Sequence, residues 1–225
     1  MRGDYQRLKD LALSSGASLF GVAEITELRK NFHLPSKKLF PLAISLAYRL
    51  SDPIIEELKD RPTLLYYHHY KQANYFLDRL ALMLSSHIQD KEWRAIPIPA
   101  SQTIDWDRQF GHLSHKKVAQ RAGLGWIGRS NLLVTPQFGA RVRLVTILTD
   151  MPLPPDSPSD EDCGSCRDCL PVCPVGAIKE RQEDFEHIKC FEKLRQFRKL
   201  GYVGHHICGL CVKACKGPKG TFENS

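Results

Sequence analysis

All eight cysteines of this 225-residue chain lie between Cys163 and Cys215, and their spacing is the first sign of chemistry. Cys163, Cys166, Cys169 and Cys173 follow C-x2-C-x2-C-x3-C and run directly into Pro174. A loop that presents a thiolate every third residue wraps three corners of one Fe4S4 cube, and the turn at the proline carries the fourth cysteine to another. A second set, Cys208, Cys211 and Cys215, keeps C-x2-C-x3-C with His205 where a first cysteine would stand, and Cys190 is left to complete it. A crossed assignment gives one cube Cys163, Cys166, Cys169 and Cys215 and the other Cys190, Cys208, Cys211 and Cys173. His205 or His206 is the poorer alternative ligand, because the cysteine count already closes. Zinc sites more often use two C-x2-C pairs separated by a long loop, which this run does not match. Two adjacent cubes would pass single electrons over a short path. With four thiolates each they would lower the formal charge from +7 to about +3.

The second candidate is AGLGWIG, in which Gly123, Gly125 and Gly128 match G-x-G-x-x-G. A dinucleotide fingerprint must follow a strand and open a helix, whereas SHKKVAQRA before this turn reads as a helix and NLLV after it as a strand. Nicotinamide binding by a Rossmann unit is therefore rejected. A glycine-rich loop remains, able to approach a large ligand closely and flanked by Arg121 and Arg129. It lies inside Arg108 to Thr149, which holds Arg108, Lys116, Lys117, Arg121, Arg129, Arg141 and Arg143 and no carboxylate. That stretch is either an anion site or a solvated basic face.

Positioning these groups requires a core, and 42% hydrophobic residues supply an ordinary one. Helices are expected over Tyr5 to Ser14, Leu64 to Ile88 and Ser114 to Ala122, where apolar residues recur at helical spacing. Short apolar runs predict strands at Ser18 to Ile25, Leu42 to Tyr48, Ala95 to Pro99, Leu132 to Thr135 and Val142 to Thr149. The proline- and acid-rich MPLPPDSPSDED marks a junction, so the expected domains are residues 1–153 and 154–225, in an α+β fold whose second part is a small cluster module. The charged N-terminus lacks a signal-peptide core, and the longest apolar stretch, Leu39 to Leu50, is too short to span a bilayer; a cytoplasmic protein without membrane contact is expected. Reduced thiols there are more often metal ligands than disulfides.

RAGLGWIGRSNLLVTPQFGARVRLVTILTDMPLP, followed by CGSCRDCLPVCPVGAI and CGLCVKAC, resembles epoxyqueuosine reductase and its relatives, a family related to reductive dehalogenases. The resemblance implies an N-terminal α/β cobalamin-binding domain followed by a bacterial-ferredoxin-like module with two 4Fe-4S clusters. It implies a flavodoxin or ferredoxin donor whose electrons reach a base-off corrinoid through the clusters. Arg121, Gly123, Leu124, Gly125, Trp126, Ile127, Gly128 and Arg129 would then lie against the corrin. The family's proton-donating Asp falls, counted without gaps, on Gln109, and its E-R pair on His115 and Lys116. Asp105, Asp107, His112 and His115 become the catalytic candidates, with Trp106 able to shield a carboxylate and raise its pKa. Tyr66, Tyr67, His68, His69 and Tyr70 open the long helix and are expected to divide between core and solvent.

Three functions are carried forward: an iron-sulfur, corrinoid-dependent oxidoreductase with its own small-molecule substrate; an electron carrier serving a partner's corrinoid, without a substrate of its own; and tRNA epoxyqueuosine reduction. Family members that continue into a helical-repeat region use it to hold tRNA, so tRNA is placed third.

Overall fold

The computed structural model describes residues 2–218. Its elements are α1 (Arg2–Ser14), β1 (Leu19–Glu24), β2 (Leu42–Arg49), α2 (Asp52–Glu56), α3 (Leu64–Gln89), β3 (Ala95–Ile98), α4 (His115–Arg121), β4 (Trp126–Ile127), β5 (Leu133–Val134), β6 (Val142–Thr149), α5 (His187–Lys199) and α6 (Leu210–Ala214). The chain divides into two compact units, each assembled from three stretches: residues up to 49, 73–125 and 143–159 in the first; 50–72, 126–142 and those from 160 on in the second. The expected junction at 153/154 lies near the crossing at 159/160, while the other crossings were not anticipated. No helix among the described residues is long and apolar enough to cross a membrane.

The first unit is built on a four-stranded sheet of order β1-β2-β6-β3. β1 and β2 pair antiparallel from Leu19 with Ala47 to Glu24 with Leu42, and β3 pairs antiparallel with β6. Every residue of β2 from Leu42 to Ala47 is buried, as a strand covered on both faces requires. Leu42, Ile44, Leu46, Val145 and Ile147 pack against Leu8 and Ala12 of α1 and Leu77, Leu84 and Ile88 of α3. The opposite face carries α4, so close that a Cβ on Gly21 would stand 2.3 Å from the Ala122 carbonyl oxygen. Pro97 sits in β3, an edge strand, where its missing N–H is tolerated. The outer edge of β1 is closed by the acidic linker. The Val22 N–H donates to Asp156 Oδ2 at 2.8 Å, the Asp156 N–H donates to the Val22 carbonyl at 2.8 Å, and the Tyr5 hydroxyl donates to the same carboxylate.

The second unit has little regular structure. β4 and β5 form a short antiparallel hairpin, Trp126 opposite Val134, and α2 contacts α6. The tyrosine-rich start of α3 belongs here and divides as expected: Tyr66 is buried, His68 exposed. The Tyr67 hydroxyl bonds His205 Nδ1 at 2.8 Å, and His69 Nε2 accepts the Ser51 N–H. α2, β4, α5 and α6 escape a periodicity argument, because three are too short to show one and α5 mixes a cysteine with many charges.

Candidate functional site

The cysteine loops are held by packing and hydrogen bonds rather than by regular structure. All eight thiols are free, seven half-buried and Cys166 exposed. Burial pushes the Cys169 thiol up to about 11, with the neighbouring thiols of Cys215, Cys163 and Cys166 adding to it. Burial likewise raises Cys215, whose thiol neighbours are Cys163 and Cys166, against the pull of the Ala140 and Gly217 N–H groups. Cys190 is pushed up to about 11 by burial, then by Cys173 and Cys208. Cys208 is raised by burial and by Cys173, opposed by the Leu210 N–H. Cys211, also raised by burial, has Cys208, Cys190, Cys169 and Cys173 as neighbours. Cys163, Cys166, Cys169 and Cys215 thus stand as one group and Cys173, Cys190, Cys208 and Cys211 as another, with Cys211 facing both. Thiols raised this far are protonated at neutral pH, and an electron-poor metal group is what lets four lose their protons together. Among the described residues no three His, Cys, Asp or Glu side chains gather around a point fit for a single metal ion.

N–H donors to sulfur are the second feature an iron-sulfur cube needs. The Trp126 indole N–H donates to Cys163 Sγ at 3.4 Å, and the Ala177 N–H donates to Cys173 Sγ at 3.2 Å. The all-thiol donor set and these sulfur acceptors fit such a cube.

The glycine turn changes unit between Gly125 and Trp126. In the first unit Gly123 has φ 71°, and a Cβ there would meet the Ser157 carbonyl oxygen at 2.6 Å; Gly125 has φ 151°, and Leu124 is buried. In the second, Trp126 is buried and Ile127 half-buried. A Cβ on Gly128 would stand 2.7 Å from Val134 Cγ2 and 3.1 Å from Cys163 Sγ. The protein's own chain therefore requires glycine at 123 and 128, with Gly123 exposed and Gly128 buried. Arg129 donates to the carbonyls of Glu180 at 2.7 Å and Gly164 at 2.8 Å, which holds the first cysteine loop.

The carboxylate-free stretch is not a single basic face. Arg141 is buried against Asp52 and Glu56, Arg143 donates to Asn74 Oδ1, and Arg121 lies beside Glu24. Lys116 is pulled down to about 8 by burial and then by Lys117. Arg108, Lys117 and Arg121 are exposed.

The catalytic candidates lie in the first unit. Asp105 Oδ1 accepts the N–H groups of Asp107 at 3.0 Å and Arg108 at 2.9 Å, so it closes its own turn. Asp107 is exposed, and Trp106 is 55% exposed. Gln109 takes φ 59°, with its amide donating to the Trp106 carbonyl. His112 Nε2 meets Gln102 Oε1 at 3.1 Å. His115 has both ring nitrogens engaged: Nε2 donates to the Pro99 carbonyl at 2.9 Å, which leaves Nδ1 to accept from the Thr146 hydroxyl at 2.8 Å.

Burial, reinforced by the charge of Arg143 and opposed by the Pro99 carbonyl, pulls His115 down to about 4. The unfolded chain binds this proton from about pH 6.5 downward, while the folded one resists until about pH 4. The stability this supplies is complete above pH 6.5 and is lost as pH falls toward 4. Replacing His115 with Asn is expected to remove about 2 kcal/mol of the fall in stability between pH 7.5 and pH 5. Urea denaturation of both proteins at the two pH values checks it; equal falls would refute the neutral ring held by Pro99 and Thr146.

The residues that sequence reasoning missed are Asp52, Glu56, Asp156 and Lys213, each acting through a long-range contact. The one local signal was the pair of acids at Asp52 and Glu56, one helical turn apart on a proline-started helix.

No family model matches the chain. Epoxyqueuosine reductase of Bacillus anthracis is 36% identical over 123 residues, 51% of this chain and 32% of that protein. The chain thus spans about a third of the length of that curated relative. A crystal structure of epoxyqueuosine reductase with a tRNA-Tyr epoxyqueuosine-modified stem loop superposes with TM-score 0.66 at 21% identity, covering 97% of this chain and 66% of that one. A reductive dehalogenase whose structure suggests a mechanism for B12-dependent dehalogenation gives TM-score 0.74 at 18% identity, covering 96% of this chain and 32% of that one. The structural likenesses establish a mixed α/β fold shared with both kinds of protein.

Proposed function

From its kinship with the epoxyqueuosine reductases, we propose that this chain is an iron-sulfur reductase in which two 4Fe-4S clusters deliver single electrons to a corrinoid, and that its substrate is epoxyqueuosine in tRNA. The observation that carries the electron-transfer part is the gathering of eight thiols into two groups of four with Cys211 facing both. Cys163, Cys166, Cys169 and Cys215 would hold one cluster, and Cys173, Cys190, Cys208 and Cys211 the other. Bound corrinoid would supply low-potential cobalt chemistry, and its presence is supported by the likeness to a B12-dependent reductive dehalogenase. The tRNA substrate, placed last from the sequence, moves first because the matched relative bears that name and a structural neighbour was solved with a tRNA stem loop.

Anaerobic purification followed by iron and acid-labile sulfide analysis should give about eight of each per chain. Expression in a strain lacking epoxyqueuosine reductase should convert tRNA epoxyqueuosine to queuosine. Persistent epoxyqueuosine with full clusters would remove the substrate, and iron well below that level would remove the clusters.

A second reading, electron transfer to a partner's corrinoid without a substrate here, is favoured by one observation. Asp105 Oδ1 and both ring nitrogens of His115 are engaged by hydrogen bonds within their own unit. Reduction of an added corrinoid protein without change in tRNA would select it.

Trp126 gives a test specific to one cluster. Its indole N–H stabilises the more negative, reduced state, so Trp126→Phe is expected to lower the potential of the Cys163 cluster by about 30–60 mV. An EPR-monitored redox titration should show the other cluster unmoved.

A further inference from the structure

α5 carries Cys190 in its first half and turns a cationic surface outward. Lys189, Lys193, Arg195, Arg198 and Lys199 are its basic residues, against Glu192 alone. Arg195, Arg198 and Lys199 are exposed, and among the described residues none of the three is ion-paired with a carboxylate. Two large apolar side chains accompany them, Ile188 57% and Leu200 55% exposed. Phe191 of the same helix packs on His206, two residues before Cys208, with ring centroids 5.1 Å apart. The helix that bears the cations therefore also borders the group of thiols that Cys190 joins.

The geometry points to this face of α5 as the docking surface for an acidic one-electron donor protein, which reduces the cluster ligated through Cys190; the inference rests on the cluster reading above. One electron leaves the donor's reduced centre, which is oxidised, and enters the cluster, which is reduced by one; no bond breaks. Charge complementarity selects an acidic partner and speeds encounter. The exposed aliphatic residues among the cations match a protein interface better than a phosphate backbone, which needs cations alone.

The test uses anaerobic holoprotein and photoreduced plant-type ferredoxin as the acidic probe, with cluster reduction followed by rapid mixing. Arg195→Glu, Arg198→Glu and Lys199→Glu combined should slow reduction about tenfold and flatten its salt dependence, and Lys199→Glu alone should slow it about threefold. Iron content and the rate with methyl viologen radical should not fall. Arg2→Glu with Arg7→Glu, a comparable reversal on α1, should leave the rate within about twofold, which separates a docking face from net charge. An unchanged rate in the triple variant with full clusters overturns the proposal, as does equal slowing in the α1 variant. Loss of tRNA stem-loop binding with an unchanged ferredoxin rate assigns the face to RNA instead. Wild-type protein that assembles no clusters overturns the underlying reading as well, which distinguishes the two failures.

Discussion

Replacing Gly128 with alanine should remove the cluster proposed at Cys163 and spare the other. The added methyl would stand 2.7 Å from Val134 Cγ2 and 3.1 Å from Cys163 Sγ. Val134 is 3% exposed and held opposite Trp126 in the hairpin, so it cannot yield. The sulfur must move instead, and with it the indole hydrogen bond that Cys163 accepts. Iron should drop from about eight to about four per chain, with the EPR signal of the second cluster retained. Gly3→Ala, where nothing lies within 4 Å, is the control and should keep full iron. Full iron in Gly128→Ala would show that the loop relaxes without disturbing its ligand, and would return the glycine to a role facing a bound molecule.

That outcome bears on how much the residues alone could tell. The apolar runs at 42–48 and 142–149 became central strands because burial on both faces leaves a local, continuous signature. The cysteines were legible as candidate ligands because a cube constrains spacing along the chain. The glycine turn was legible only as glycine. Its spacing could not reveal that a side chain at 123 or 128 would meet the protein itself. The two interleaved units were equally hidden. Periodicity reports which face of an element is apolar, while the partner of that face lies far away in sequence, as Arg141 does from Asp52 and Glu56. His115 shows the same limit: its residue type suggested a proton donor, and two contacts remote in sequence make it a neutral strut.

Arg141→Met is the substitution expected to cost the second unit most stability. The side chain is 6% exposed, with Nη1 on Asp52 Oδ1 at 2.7 Å and Nη2 on Glu56 Oε1 at 2.7 Å and on the Lys213 carbonyl at 2.5 Å. Lys213 in turn donates to the carbonyls of Glu56 and Leu58. This network ties α2 to α6, the helix that contains Cys211 and leads directly into Cys215. A methionine leaves two partly buried carboxylates and a carbonyl without their donor, and the partial exposure of Glu56 moderates the penalty to about 3 kcal/mol. Lysine restores the charge but not the fork, so Arg141→Lys should recover less than half of that loss. The acid side of the profile separates this network from simple packing. Burial would raise Glu56, but its hydrogen bond and ion pair with Arg141 outweigh it, with help from Lys216 and Lys213, and hold the carboxyl below its ordinary value. A depressed carboxyl stabilises the fold above its unfolded pKa, and that contribution is lost as pH falls through the folded value. Urea denaturation should therefore show a larger Arg141→Met deficit at pH 7 than at pH 4. Because Cys211 and Cys215 fall in different thiol groups, displacement of α6 should broaden the EPR signals of both proposed clusters, in contrast to Gly128→Ala. A Met variant with wild-type stability and two unaltered signals would mean that the cysteine loops position α6 without Arg141.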